Sequence, residues 1–110
     1  MNSFINNIIA EMGITAAVDV DFDPEEYSSF CTGDEDFILI EIGTKGCPNE
    51  RQLKTAIAHE LVHACQIASG SLDLENLTFN GQDYSNMEYM DRPHEIEAYK
   101  KEKELVKRYS

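Results

Sequence analysis

The chain has 110 residues, 42% hydrophobic and 27% charged, a composition that suits one globular domain over residues 1–110 and argues against disorder. Its net charge of −12 works against nucleic-acid backbones and anionic membranes, which are held by Lys and Arg, and reads most simply as a solvated acidic surface. No run is long enough to span a bilayer, and no secretory leader opens the chain. Cys31, Cys47 and Cys65 contain no C-x-x-C pair, so reduced thiols in a cytoplasmic protein are expected.

Residues 3–12 predict a short helix. Phe4, Ile5, Ile8, Ile9 and Met12 follow the helical period, Ser3 can cap the start, and Gly13 stands at the stop. From Ile14 the period changes to two: Val18, Val20 and Phe22 alternate with Asp19, Asp21 and Asp23, as in a strand with one wet face. The aspartates imitate the opening of a calcium loop, but Pro24 sits where that loop needs glycine and Phe30 where it needs glutamate, so a solvent-facing strand is the better reading. Tyr27–Cys31 reads as a second short strand. Thr32–Glu35 reads as a hairpin connection. Phe37–Ile42 is nearly continuous in apolar character and is expected to be buried on both faces. Together, residues 16–42 predict a three-stranded meander.

After the loop Gly43–Pro48, Asn49 caps the next helix, with Gln52 at the third position completing a capping box. This helix runs to about Ser69, where Gly70 closes it, and its core stripe is Leu53, Ile57, Leu61, Ala64, Cys65 and Ala68. Residues 71–91 lack a helical period; Asn80-Gly81, between Leu77, Phe79 and Tyr84, predicts a small hairpin in a segment placed to wall a cleft. The last helix starts at Asp91-Arg92-Pro93, with Asp91 as cap, and continues to about Tyr109.

The chemistry lies in His59-Glu60-Leu61-Val62-His63, inside the apolar run of the middle helix. Histidines four apart share a helix face, about one 5.4 Å turn from each other, so both imidazoles can reach one ion at the roughly 2.0–2.1 Å that zinc prefers. Glu60 is turned about 100° from His59, free to hold a metal-bound water as general base without being a ligand. His-Glu-x-x-His on a helix is a zinc-hydrolase signature. Such a site needs a third protein ligand, and the candidates gather in Pro93-His94-Glu95-Ile96-Glu97-Ala98-Tyr99. On a helical wheel Glu95 falls near the middle of the apolar arc formed by Ile96, Ala98, Tyr99, Leu105, Val106 and Tyr109. Glu97 falls nearly opposite and His94 at the margin. A carboxylate aimed at a core is costly unless a cation meets it. Glu95 is therefore the expected third ligand, Glu97 a surface residue, and His94 a lesser alternative.

His59–His63 followed by Asp91–Ala98 resembles the small gluzincin-type zinc metallopeptidases, especially those of phage and prophage origin. In gluzincins with an E-x-E-A third motif the first glutamate is the ligand, which the resemblance places on Glu95. The family often has Asp or Asn four residues later, where this chain has Tyr99. The resemblance implies an α+β, minimal zincin-like fold: a small, mainly antiparallel sheet on the motif helix, with a C-terminal ligand helix.

The expected function is zinc-dependent peptide-bond hydrolysis with Zn2+ held by His59, His63 and Glu95. A peptide or protein substrate would add as a strand along the Phe37–Ile42 edge. Tyr84, Tyr89, Arg92, His94 and Tyr99 are all available to stabilise the developing oxyanion, and Asp73 or Glu75 to support the ligating histidines. The rivals are a non-catalytic zinc-binding regulatory protein and an acidic protein-interaction domain with incidental histidines.

Overall fold

Ile38, Ile40 and Ile42 lie one period-two step apart, and the strand they define is the centre of the main sheet. A computed structural model describes residues 1–110. Its elements are helix α1 (Asn2–Met12), strands β1 (Ala17–Asp23), β2 (Phe30–Gly33) and β3 (Phe37–Gly43), helix α2 (Glu50–Ala68), short strands β4 (Leu72–Asp73), β5 (Thr78–Phe79) and β6 (Gln82–Asp83), and helix α3 (Pro93–Tyr109). The three isoleucines of β3 are fully buried against the helices, each contributing about 1.5–3 kcal/mol relative to exposure. Burial is one-sided: Leu39 and Glu41, on the other face, are only half-buried, not enclosed as the apolar run suggested.

The sheet is not a meander. Its order is β1-β3-β2, with β1 parallel to β3 (Val18 beside Ile38, Val20 beside Ile40) and β2 antiparallel to it. The chain leaves β1, crosses the end of the still-unformed central position, lays down the edge strand β2 and turns back through a hairpin into β3. That crossing runs hard against Gly43 and Gly46. A Cβ on Gly43 would sit 2.4 Å from the Ser28 carbonyl oxygen, and one on Gly46 would sit 2.2 Å from that of Tyr27. Only glycine permits this approach. The β4-β5-β6 sheet is wholly antiparallel, and Asn80 and Gly81 turn its hairpin at φ 50° and 83°, as the sequence predicts.

Helix α2 is the axis of the fold. The Asn49 side chain accepts the Gln52 N–H at 2.9 Å, which is the expected cap, but the Gln52 side chain does not return a bond to complete the capping box. Ile57, Ala58, Leu61, Val62 and Ala64 are all fully buried, because the sheet covers one side of α2 while α1 and α3 cover the others. The core stripe is thus wider than the predicted one, and Leu53, Cys65 and Ala68 lie at its partly exposed margins. Two other caps differ from expectation. Helix α1 starts at Asn2 without a Ser3 cap, and Arg92, not Asp91, precedes α3, since Asp91 ends a tight 3-10 turn from Tyr89. No helix is long and apolar enough to cross a membrane, and all three cysteines are free thiols.

Candidate active site

Residues 59, 60 and 63 sit in the most enclosed stretch of α2, and α3 packs antiparallel across them. The terminal helix therefore presents its first-turn Glu95 to the two imidazoles. Glu95 Oε1 lies 3.0 Å from His59 Nε2 and 2.8 Å from His63 Nε2, and the two Nε2 atoms are 3.2 Å apart. All three residues are more than nine-tenths buried. The rings meet edge to face at 85°, so their nitrogens converge on one point rather than stacking.

The outer nitrogens decide which atoms carry protons. His63 Nδ1 faces Gln66 Oε1 at 2.7 Å, and the Gln66 amide nitrogen is already committed to the His94 carbonyl and to Glu97 Oε1, both at 3.1 Å. The amide oxygen must accept, so the His63 proton is on Nδ1. His59 Nδ1 likewise donates to the Glu102 carboxylate at 3.2 Å. In the neutral rings both Nε2 atoms then present lone pairs to each other and to an ionised carboxylate. Three such atoms converge only around positive charge, which a proton on an Nε2 supplies in the metal-free site and a metal ion can supply in its place. Ligand atoms on a tetrahedral zinc are about 3.3 Å apart, given bonds of roughly 2.0 Å, and the observed separations fall close to that. His59, His63 and Glu95 thus form a gluzincin-type His-His-Glu triad whose chemistry fits Zn2+, as expected from the sequence.

The electrostatics agree. Burial opposes charge on His59, but its bonds to Glu102 and Glu95 outweigh that and push its pKa up to about 9. Burial would raise Glu95, yet hydrogen bonds from His59 and His63 hold it well below the usual carboxylate range. The field of the site therefore favours a positive charge at this point. Glu60, which is not among the converging ligands, has its pKa raised by burial, against the pull of both histidines.

Several sequence expectations need correction. Asp73 and Glu75 do not support the histidines: Asp73 accepts the backbone N–H groups of Glu75 and Asn76 in its own turn, and Glu75 is exposed. The supports are Glu102 and Gln66, both missed. Tyr99 offers the ligands no carboxylate; Glu102, seven residues after Glu95 on the same face of α3, supplies one to His59. Glu97 is half-buried rather than free in solvent, because Gln66 reaches it. Ile96 leaves the predicted apolar arc and is 54% exposed. The expected substrate edge also moves, since β3 is paired on both sides and the open strand beside the site is β2.

Two cavities meet at the site, sharing Ser29, His59, Glu60 and Tyr89 on their walls. The smaller, about 210 Å³, continues past Cys31, Leu72 and Leu74; the larger, about 640 Å³, runs along α2 past Tyr99 and Thr55 to Arg51. The segment after α2 does wall the cleft, as predicted. Among the five oxyanion candidates, Tyr84 is buried against the His94 ring at 4.2 Å, and Arg92 lies over Tyr84 while donating to the Met87 carbonyl. His94 borders only the smaller cavity and Tyr99 only the larger; Tyr89 borders both. Compared with protein-family models, curated proteins and solved structures, the chain matches none.

Proposed function

We propose that residues 1–110 act as one zincin-like domain that hydrolyses peptide bonds, akin to the small phage-type gluzincin metallopeptidases and working in the cytoplasm. The observation that carries this reading is the convergence of two imidazole Nε2 atoms and a carboxylate oxygen on one buried point, with a second carboxylate beside it.

His59, His63 and Glu95 would hold the metal, Glu102 and Gln66 fix the two rings, and none of the five needs to move during turnover. When bound, zinc supplies Lewis acidity, polarising the scissile carbonyl and lowering the pKa of water toward about 7. Glu60, its pKa raised by burial, takes the proton of the attacking water and returns it to the leaving amine. Tyr89 donates its hydroxyl hydrogen bond to the carbonyl oxygen as negative charge develops there, since its ring borders both halves of the cleft. The substrate chain adds to the free edge of β2, whose Phe30 and Cys31 line the smaller cavity.

The test compares the zinc-loaded chain with Glu60→Gln on a mixture of unstructured peptides. Cleavage that disappears in the variant while zinc stays bound supports the mechanism. Cleavage that survives unaltered removes Glu60 as the base. Stoichiometric zinc with no Glu60-dependent cleavage would leave a non-catalytic zinc protein.

A further inference from the structure

The chain carries 21 acidic residues against nine Lys and Arg, yet four of those nine line a single cavity. Arg51 and Lys54 come from the start of α2, and Lys103 and Lys107 from the end of α3, around a space of about 600 Å³ floored by Val106. Glu50 is the one acid on its wall. It lies 3.5 Å from the Lys54 ammonium and is itself largely exposed. Lysines near the end of α3 are explained by its helix dipole, whose negative end they offset. Arg51 and Lys54 are not: they stand at the positive end of α2, where cations are disfavoured. The cavity is therefore a local concentration of positive charge, four cations against one acid, on a molecule whose net charge is strongly negative.

Its position gives it a use. Arg51 and Thr55 line both this cavity and the larger half of the catalytic cleft, so the two adjoin. Along α2, Arg51 lies eight residues before His59, and along α3, Lys103 lies eight residues after Glu95. At about 1.5 Å per residue either helix puts the basic cavity roughly 12 Å from the metal ligands. An extended peptide at about 3.3 Å per residue covers that distance in about four residues.

We infer that this cavity binds an acidic stretch of polypeptide, and that it holds an Asp or Glu side chain of the substrate about four residues from the scissile bond. The placement rests on the peptidase reading; the anion binding does not. A nucleic-acid occupant is disfavoured because a phosphate backbone running beyond the pocket would meet a molecule of net charge −12.

Fluorescence anisotropy with a fluorescein-labelled hexaglutamate, titrated with the intact chain at low ionic strength, tests the binding. Hexaglutamate should bind despite the like net charges. Reversing the two exposed lysines (Lys103→Glu with Lys107→Glu) should weaken it by about tenfold or more, and Arg51→Ala should weaken it less. No binding, or binding untouched by these changes in variants of unaltered circular dichroism, overturns the inference. Equal affinity for a six-nucleotide thymidylate overturns the polypeptide assignment. In a second arm, the zinc-loaded chain is given a peptide mixture. Enrichment of Asp or Glu about four positions to one side of the cleaved bonds, lost in the double variant, supports the placement, and cleavage without enrichment refutes it. Hexaglutamate binding without any cleavage would count against the peptidase reading, and with it the placement, while the anion site stands.

Discussion

Glu102→Gln isolates the contribution of the carboxylate that α3 places behind His59. The side chain is 5% exposed and accepts the His59 Nδ1 proton at 3.2 Å, so glutamine preserves shape and an acceptor while removing the charge. Loss of such an outer partner costs about 10- to 100-fold in metal affinity, or about 1.4–2.7 kcal/mol. The upper part of that range is expected, because His59 is buried and its other polar contacts, Glu95 and His63, are the metal ligands themselves. The same change makes neutral the acceptor in one of two bonds that raise the His59 pKa, so the metal-free variant should hold its His59 proton less tightly than the parent. Competition against a chromophoric zinc chelator gives the affinity, and Glu104→Gln, on the exposed side of α3, serves as the control. A folded Glu102→Gln chain whose zinc affinity stays within about twofold of the parent would refute the idea that Glu102 positions His59.

Tyr89→Phe should lower kcat by about 10²- to 10³-fold with little change in KM, as expected for a donor that acts on developing charge; an equal change in both constants would make it a binding residue instead. In the metal-free chain the raised pKa of His59 stabilises the fold fully below its ordinary value of 6.5 and ceases to do so as pH rises through about 9. The melting temperature of that form should therefore fall between these limits in calorimetry, and the fall should vanish once zinc is bound. Leu61→Ala, at a fully buried position between the two histidines, should cost about 2–5 kcal/mol in urea unfolding, since neighbours on all sides of α2 prevent collapse of the cavity.

The helices and the metal triad were legible because each rests on local rules. The Asn49 cap, the Asn80-Gly81 turn and the four-residue spacing of His59 and His63 all act within one turn of chain. Glu95 was reachable by a wheel because a carboxylate in an apolar arc needs a cationic partner. The same reasoning extends to Glu102, seven residues on and almost superposed on Glu95 in projection, and to Gln66, three residues after His63. Both were legible and overlooked. The sheet order was not legible: period-two alternation tells which face of a strand is wet but not which strand is its neighbour. The parallel pairing of β1 with β3 depends on the backbone crossing at Gly43 and Gly46, a contact between distant residues that leaves only glycines as its trace. That error carried over to the substrate edge, which moved from β3 to β2.

The aspartates of β1 gain a meaning from this topology that no metal gives them. A three-stranded sheet has two unpaired borders, each able to recruit a foreign strand. On the β1 border, Asp19 and Asp21 are exposed, with Asp23 at its end, and a second molecule docking there side by side would set carboxylate against carboxylate. The opposite border, Phe30-Cys31-Thr32-Gly33, carries no charge. Like-charge repulsion thus closes one side of the sheet to self-association and leaves the uncharged side, which opens onto the zinc ligands, for a visiting chain.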